Sequence, residues 1–197
     1  MLTPLVLMLV VSAASEDAGP PSATNAAGPL RPGPESSATQ EPRRIRSRVD
    51  ALLGTNGPIG AARWRSLGPG AAPILEEIAG DNKALPTRRA RALEGLVAIG
   101  APNASKILVR LAQSQEEPFV VRLAAVRGVG RTLSPSRQLK TLRPVLEGAQ
   151  DAHLRVVAAE VLAQHTSGCP AVRAQLEREA PETRAQFEGA RQRCFQH

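Results

Sequence analysis

A step of 33 residues recurs along this chain and fixes what it can fold into. Arg89, Arg122 and Arg155 stand 33 apart, and so do Ala92, Ala125 and Ala158. Gly95 and Gly128 keep the step, with Val161 in the third slot, and Ile74-Leu75 recurs as Ile107-Leu108. A fixed period of roughly 20–50 residues marks a stack of like units, none of which can bury its apolar face alone. Strand signals do not compete. Tyr is absent, one Trp and three Phe are the only aromatic residues, and β-branched runs are short.

Each unit reads as two helices. In the unit opening at Pro86, Ala92, Leu93, Leu96 and Ile99 form an apolar stripe at helical spacing. Gly100 takes the C-cap position, and Pro102 opens a second helix with Ile107, Leu108 and Leu111 inward. In the next unit Glu116-Glu117-Pro118 precedes a helix lined by Val121, Ala124, Ala125, Val129 and Leu133. Ser134-Pro135 starts its partner, whose core face is Leu139, Leu142, Val145 and Leu146. In the third, Asp151 caps a helix with Leu154, Val157, Ala158, Val161 and Leu162 inward, and another follows from Pro170 through Val172 and Leu176.

Ahead of these lies a less regular unit, with helices expected over 43–53, 59–67 and 70–79 and a loop over 54–58. A single helix over 181–195, carrying Phe187 and Phe195, closes the other end. Irregular end units are expected because they must cap the stacked core. The small Ala and Gly positions let neighbouring helices approach toward the short end of the roughly 8–10 Å interaxial range. The expected fold is therefore all-α, an α-solenoid of about four stacked helix pairs with a C-terminal capping helix, over residues 43–197.

The stretch before it reads differently. Leu5 to Val11 is an apolar run followed by Ser12-Ala13-Ala14, so residues 1–14 are expected to be a secretory signal. The run is shorter than the roughly 20 apolar residues a membrane span needs. No Lys or Arg precedes it, so the amino terminus alone supplies the positive end. Residues 15–42 hold six Pro and three Gly among Ser, Thr and Ala. Such a composition buries too little apolar surface to offset ordering entropy and is expected to be a disordered linker. The expected location is exported, periplasmic or secreted.

The repeat motifs resemble a known family. Leu67-Gly68-Pro69-Gly70-Ala71-Ala72-Pro73-Ile74-Leu75 is similar to the helix–helix junction of bacterial HEAT-like repeats of the phycobilisome-lyase type. Arg122 to Gly130 resembles the first helix of the same repeat. The usual Asp-Pro turn is replaced here by Asp81-Asn82-Lys83, Glu117-Pro118 and Asp151-Ala152. The resemblance implies an α-solenoid whose second helices line a concave face, and protein–protein interaction more often than catalysis. Arg89, Arg122 and Arg155 are a candidate anion-binding row; the competing and stronger reading, which the resemblance implies, is that each pairs with an acid in an inter-repeat turn, where Asp81, Glu117 and Asp151 are available.

Candidate site residues follow. Residues 43–197 carry 24 Lys or Arg against 14 acids, which suits an acidic partner. On successive second helices Lys106 and Arg110, then Arg137, Lys140 and Arg143, lie away from the apolar stripes. They form a candidate basic groove for the acidic segment of a protein; an ordinary solvated face of an Arg-rich chain is the competing reading. Nucleic acid is disfavoured by export and because no aromatic residue accompanies these basic positions for base stacking. Cys169 and Cys194 end the legs of a hairpin turning at Pro181. Legs of 12 and 13 residues rise about 18 and 20 Å as helix, so the thiols meet. A disulfide is expected first, with free thiols or a zinc site joining His165 and His197 as rivals.

Sets for catalysis are poor. No Gly-x-Ser-x-Gly, phosphate loop or His-Glu-x-x-His occurs, and Glu76-Glu77 and Glu116-Glu117 are adjacent, so on a helix their side chains diverge. The expectation is a non-catalytic protein-binding scaffold or adaptor, not an enzyme, without catalytic residue, metal or cofactor. The alternative is an enzyme or enzyme-associated repeat protein, lyase-like or nucleic-acid-acting.

Overall fold

A computed structural model describes residues 37–196. The expected signal, the expected linker as far as residue 36, and His197 lie outside the described residues. The chain opens with α1 (Ser37–Leu53), the short α2 (Ala61–Arg65) and, after a 3-10 turn at Pro69–Ala71, α3 (Ala72–Gly80). Three pairs follow: α4 (Pro86–Ile99) with α5 (Ala104–Gln113), α6 (Phe119–Thr132) with α7 (Pro135–Gly148), and α8 (Ala152–Leu162) with α9 (Cys169–Arg178). α10 (Pro181–Arg184), a 3-10 turn at Ala185–Phe187 and α11 (Glu188–Gln196) close the stack. No strand occurs among the described residues.

The helices make two layers. α2, α4, α6, α8 and α11 pack in succession, and α5, α7 and α9 pack in succession beside them. α3, α5 and α7 each also lie against the first helix of the following pair, which ties the units together. This is the expected α-solenoid, with α2–α3 as the irregular first pair and α10–α11 as the cap. Its interior is one continuous cluster of mostly Ala, Val and Leu. Two aromatic side chains plug opposite stretches of it, Trp64 at 1% exposure on α2 and Phe187 at 0% beside α8.

Local chemistry sets the helix ends. Gly100 has φ of +68°, the left-handed conformation that L side chains resist. Its N–H donates to Val97 O at 3.2 Å and that of Ala101 to Leu96 O at 3.0 Å, a Schellman end to α4. Asp151 accepts from Leu154 N at 3.0 Å and starts α8 as expected. Ser134 makes no such bond, so Pro135 alone marks the start of α7.

Close packing explains the small residues of the repeat. A Cβ at Gly128 would lie 2.5 Å from Leu108 Cδ2, and one at Gly95 would lie 3.0 Å from both Leu75 and Trp64. The third slot holds Val161 because the facing residue is Gly130, where a Cβ would stand 2.8 Å from Val161 Cγ1.

Three boundaries differ from expectation. α1 begins at Ser37, so residues 37–42, expected in the linker, are helical. Pro42 inside α1 withholds an N–H from the turn before it, which is why composition hid that turn. α2 covers five residues only, because Gly68, at φ +76°, turns the chain toward Pro69. The capping helix is broken by the 3-10 turn that inserts Phe187 into the core.

Candidate functional site

The basic face can be followed residue by residue. Lys106 and Arg110 are exposed on α5, and Arg137, Lys140 and Arg143 are exposed on α7, the helix packed beside it. Gln113 Nε2 donates to Thr141 O at 3.1 Å and joins the two helices. Between them lies a cleft of about 280 Å³ whose lining includes Val109, Gln113, Arg137 and Lys140. Arg143 leaves this group. It donates to Glu147 at 2.8 Å one turn along α7 and lines a separate cleft toward α9 with Pro170 and Arg178. Arg173 on α9 does not extend the row, because its guanidinium donates to Cys194 O at 2.8 Å and stacks near the exposed Phe195 ring.

The repeated arginines behave as three different groups. Arg89 is 3% exposed. It donates to Ala79 O at 3.1 Å and pairs with Glu117 at 2.7 Å. Arg155 grips Glu179 with two parallel bonds, Nε to Oε1 at 2.5 Å and Nη2 to Oε2 at 2.7 Å. Its Nη1 also donates to Ala149 O and Gln150 O at 2.8 and 3.0 Å. Glu179, 6% exposed, is held below the usual carboxylate range, first by the Arg155 hydrogen bond, against burial, with Gln175 assisting. Arg122 has no acid. Its Nε is buried without a hydrogen-bond partner, and its side chain lines a cleft of about 290 Å³ with Gln113, Gln115, Val145 and Gly148.

Of the acids expected to serve this row, only Glu117 does. Asp81 accepts instead from Lys83 N at 2.9 Å, and Asp151 is spent as the α8 cap. Glu179 was not anticipated, since it lies past the end of a helix with no repeat partner to flag it. A sequence signal did exist for Arg122. The slot of Glu117, one step of 33 later, holds Gln150.

Cys169 and Cys194 form a disulfide with Cα atoms 5.3 Å apart. The zinc alternative loses both thiolates to that bond. Among the described residues no group of three or more His, Cys, Asp or Glu is placed to hold a metal, and no helix is long and apolar enough to cross a membrane.

No family model matches the sequence, and no curated protein matches it. A solved structure does: the complex of CpcE and CpcF of phycocyanin lyase from a Nostoc species, 22% identical, at a TM-score of 0.55 over 76% of this chain and 98% of that one. The chain has the HEAT-like solenoid fold. That agreement bears out the resemblance carried by the repeat motifs. It also corrects the expectation of a non-catalytic scaffold and the expectation that the chain is not an enzyme. Those rested on the view that a helical solenoid offers a surface and not a reaction centre. The same fold is built into a lyase complex, so surface architecture is no argument against catalysis.

Proposed function

We propose that this chain is a lyase-like, enzyme-associated repeat subunit that works in complex with a second protein, which it meets through an acidic segment on the α5–α7 face. The observation that carries the reading is the fold, shared along almost the whole neighbour with a two-protein lyase complex. Charge supports the contact. α5 carries Lys106 and Arg110 and no acid, and α7 carries Arg137, Lys140 and Arg143 against Glu147 alone. Such a face attracts acidic chain at a distance and loses that pull with salt, as the Debye length falls from about 10 Å at 0.1 M to about 3 Å at 1 M. The signal-like residues 1–14 and the disulfide support a place outside the cytoplasm, periplasmic or secreted.

The test is capture from the native host by the tagged full chain. A second protein should be recovered at low salt and released at high salt. The pair Arg110→Glu and Lys140→Glu should abolish capture with helicity unchanged, since both side chains are exposed. The captured protein's reaction, assayed with and without the chain, should depend on it. A rate indifferent to the chain overturns the enzyme association; capture indifferent to salt and to both reversals overturns the contact face.

A further inference from the structure

The three arginines of the repeat occupy one structural slot, and two of them show what the slot holds. Arg89 takes the carboxylate of Glu117 at 2.7 Å, and Arg155 takes that of Glu179 through two parallel bonds. Paired bonding of this kind is the geometry of planar guanidinium on planar carboxylate. In the middle unit the acid is missing from the sequence itself, because Gln150 stands one repeat step after Glu117. Asp151, its neighbour, is engaged by Leu154 N. The consequence is visible in the fold. Arg122 Nε is buried with no acceptor, and the side chain opens on a solvent-connected cleft of about 290 Å³. An unmatched buried donor of a charged group is costly, and the side chain that carries it borders a cleft with room for a matching group.

We infer that Arg122 is a binding site for an external carboxylate, which enters the cleft between the α5–α6 and α7–α8 turns and takes the place that Glu117 and Glu179 fill at the other two arginines. Gln113 and Gln115 border that space, and Gln115 and Gln150 border an adjoining one of about 170 Å³ that Arg122 also lines; they bring neutral amide donors and acceptors without repelling an anion. Glu116, exposed, lines the adjoining cleft. It makes no ion pair with Arg122, whereas its neighbour Glu117 is turned to Arg89. The site lies at the turns between pairs and adjoins the α5–α7 cleft only through Gln113; Arg110 and Lys140, the residues that test the partner contact, do not line it, so the two are tested independently. The carboxylate belongs either to an acidic side chain of another protein or to a small organic acid.

The experiment follows the Arg122 Nε–Hε resonance of the full, nitrogen-labelled chain, assigned by its loss in Arg122→Lys. Acetate and an acetylated Gly-Glu-Gly amide are titrated, with the Gly-Gln-Gly amide and inorganic phosphate as comparisons. Both carboxylates should move the resonance saturably, and the Gln peptide should not. A peptide binding tenfold tighter than acetate assigns a protein side chain, and equal binding assigns a small organic acid. Gln150→Glu should move the resonance without any ligand and weaken the acetate response at least tenfold. Gln150 is exposed, so this variant should fold, and an unchanged helical spectrum checks it. The inference is overturned by a resonance that ignores both carboxylates, by Gln150→Glu binding acetate as well as the parent, or by a response to phosphate alone. It is overturned too if Glu116→Gln moves the resonance in the absence of anion, since Glu116 would then already fill the slot.

Discussion

At the scale of single residues, charge pairing and backbone proximity decide the outcome of substitution. Glu179 is nearly buried, and Arg155 holds its carboxyl below the ordinary value of 4.5. A carboxyl whose pKa is lowered by folding adds stability above its unfolded value, and that stability is lost as pH falls through the lower folded value. Glu179→Gln should therefore cost about 2–3 kcal/mol at neutral pH, the range for a hydrogen bond to a charged group left without its partner. It should also flatten the decline of stability below pH 4.5. Urea melts at pH 7 and pH 3 check both effects, and equal stability of the two proteins at pH 7 would contradict the pairing. Two glycines make a second contrast. A Cβ at Gly168 would fall 2.1 Å from the backbone oxygen of Leu162, which cannot rotate away. Gly168→Ala should cost at least about 1–3 kcal/mol through overpacking. In α11, Gly189 has its nearest neighbour at 4.0 Å, so Gly189→Ala should gain up to about 1 kcal/mol from helix propensity. Thermal melts of the two variants should move in opposite directions.

At the scale of elements, the end of the chain depends on a covalent tie. α9 and α11 enclose a loop with Cys169 and Cys194 25 residues apart, and closing such a loop is worth about 3.5 kcal/mol in the chain-entropy model. Phe187 and Ala190 add burial against α8, but α10 and α11 are short, and short helices need tertiary support. Cys169→Ser with Cys194→Ser should speed proteolysis and hydrogen exchange over 169–196 while the amides of α4 and α6 keep their protection. The reason is that each unit of a stack contacts only its neighbours. Uniform loss of protection along the whole stack would refute local capping, and an unchanged melting curve on reduction would refute the stabilising role.

The molecule as a whole combines a strongly basic stack with a weakly acidic N-terminal stretch. Residues 1–42 carry one Arg and four acids, against 24 Lys or Arg and 14 acids beyond. The proposed export would account for both the disulfide and the apolar N-terminal run. Export predicts a mature chain beginning near Ser15 with the disulfide formed. N-terminal sequencing and non-reducing peptide mapping of protein from the native host check both at once. Intact Met1 in a cytosolic fraction, with free thiols, would remove the support for export.

Periodicity determined the architecture, because a stripe of Ala, Val and Leu repeated every 33 residues can be buried only by stacking. It also determined the C-cap at Gly100 and the N-cap at Asp151, since these depend on φ and on a side-chain oxygen within a few residues. The thiol pairing was legible for a related reason, as two helical legs of equal rise return the chain to its start. What periodicity could not decide were contacts between groups far apart in sequence. Arg155 with Glu179, Arg173 with Cys194 O and Gly130 with Val161 exist because two layers bring distant turns and helices together. The missing acid of Arg122 could be read at Gln150, yet its meaning needed the tertiary structure. Only there does the arginine prove half-buried, its Nε unmatched, and the space beside it open to an anion.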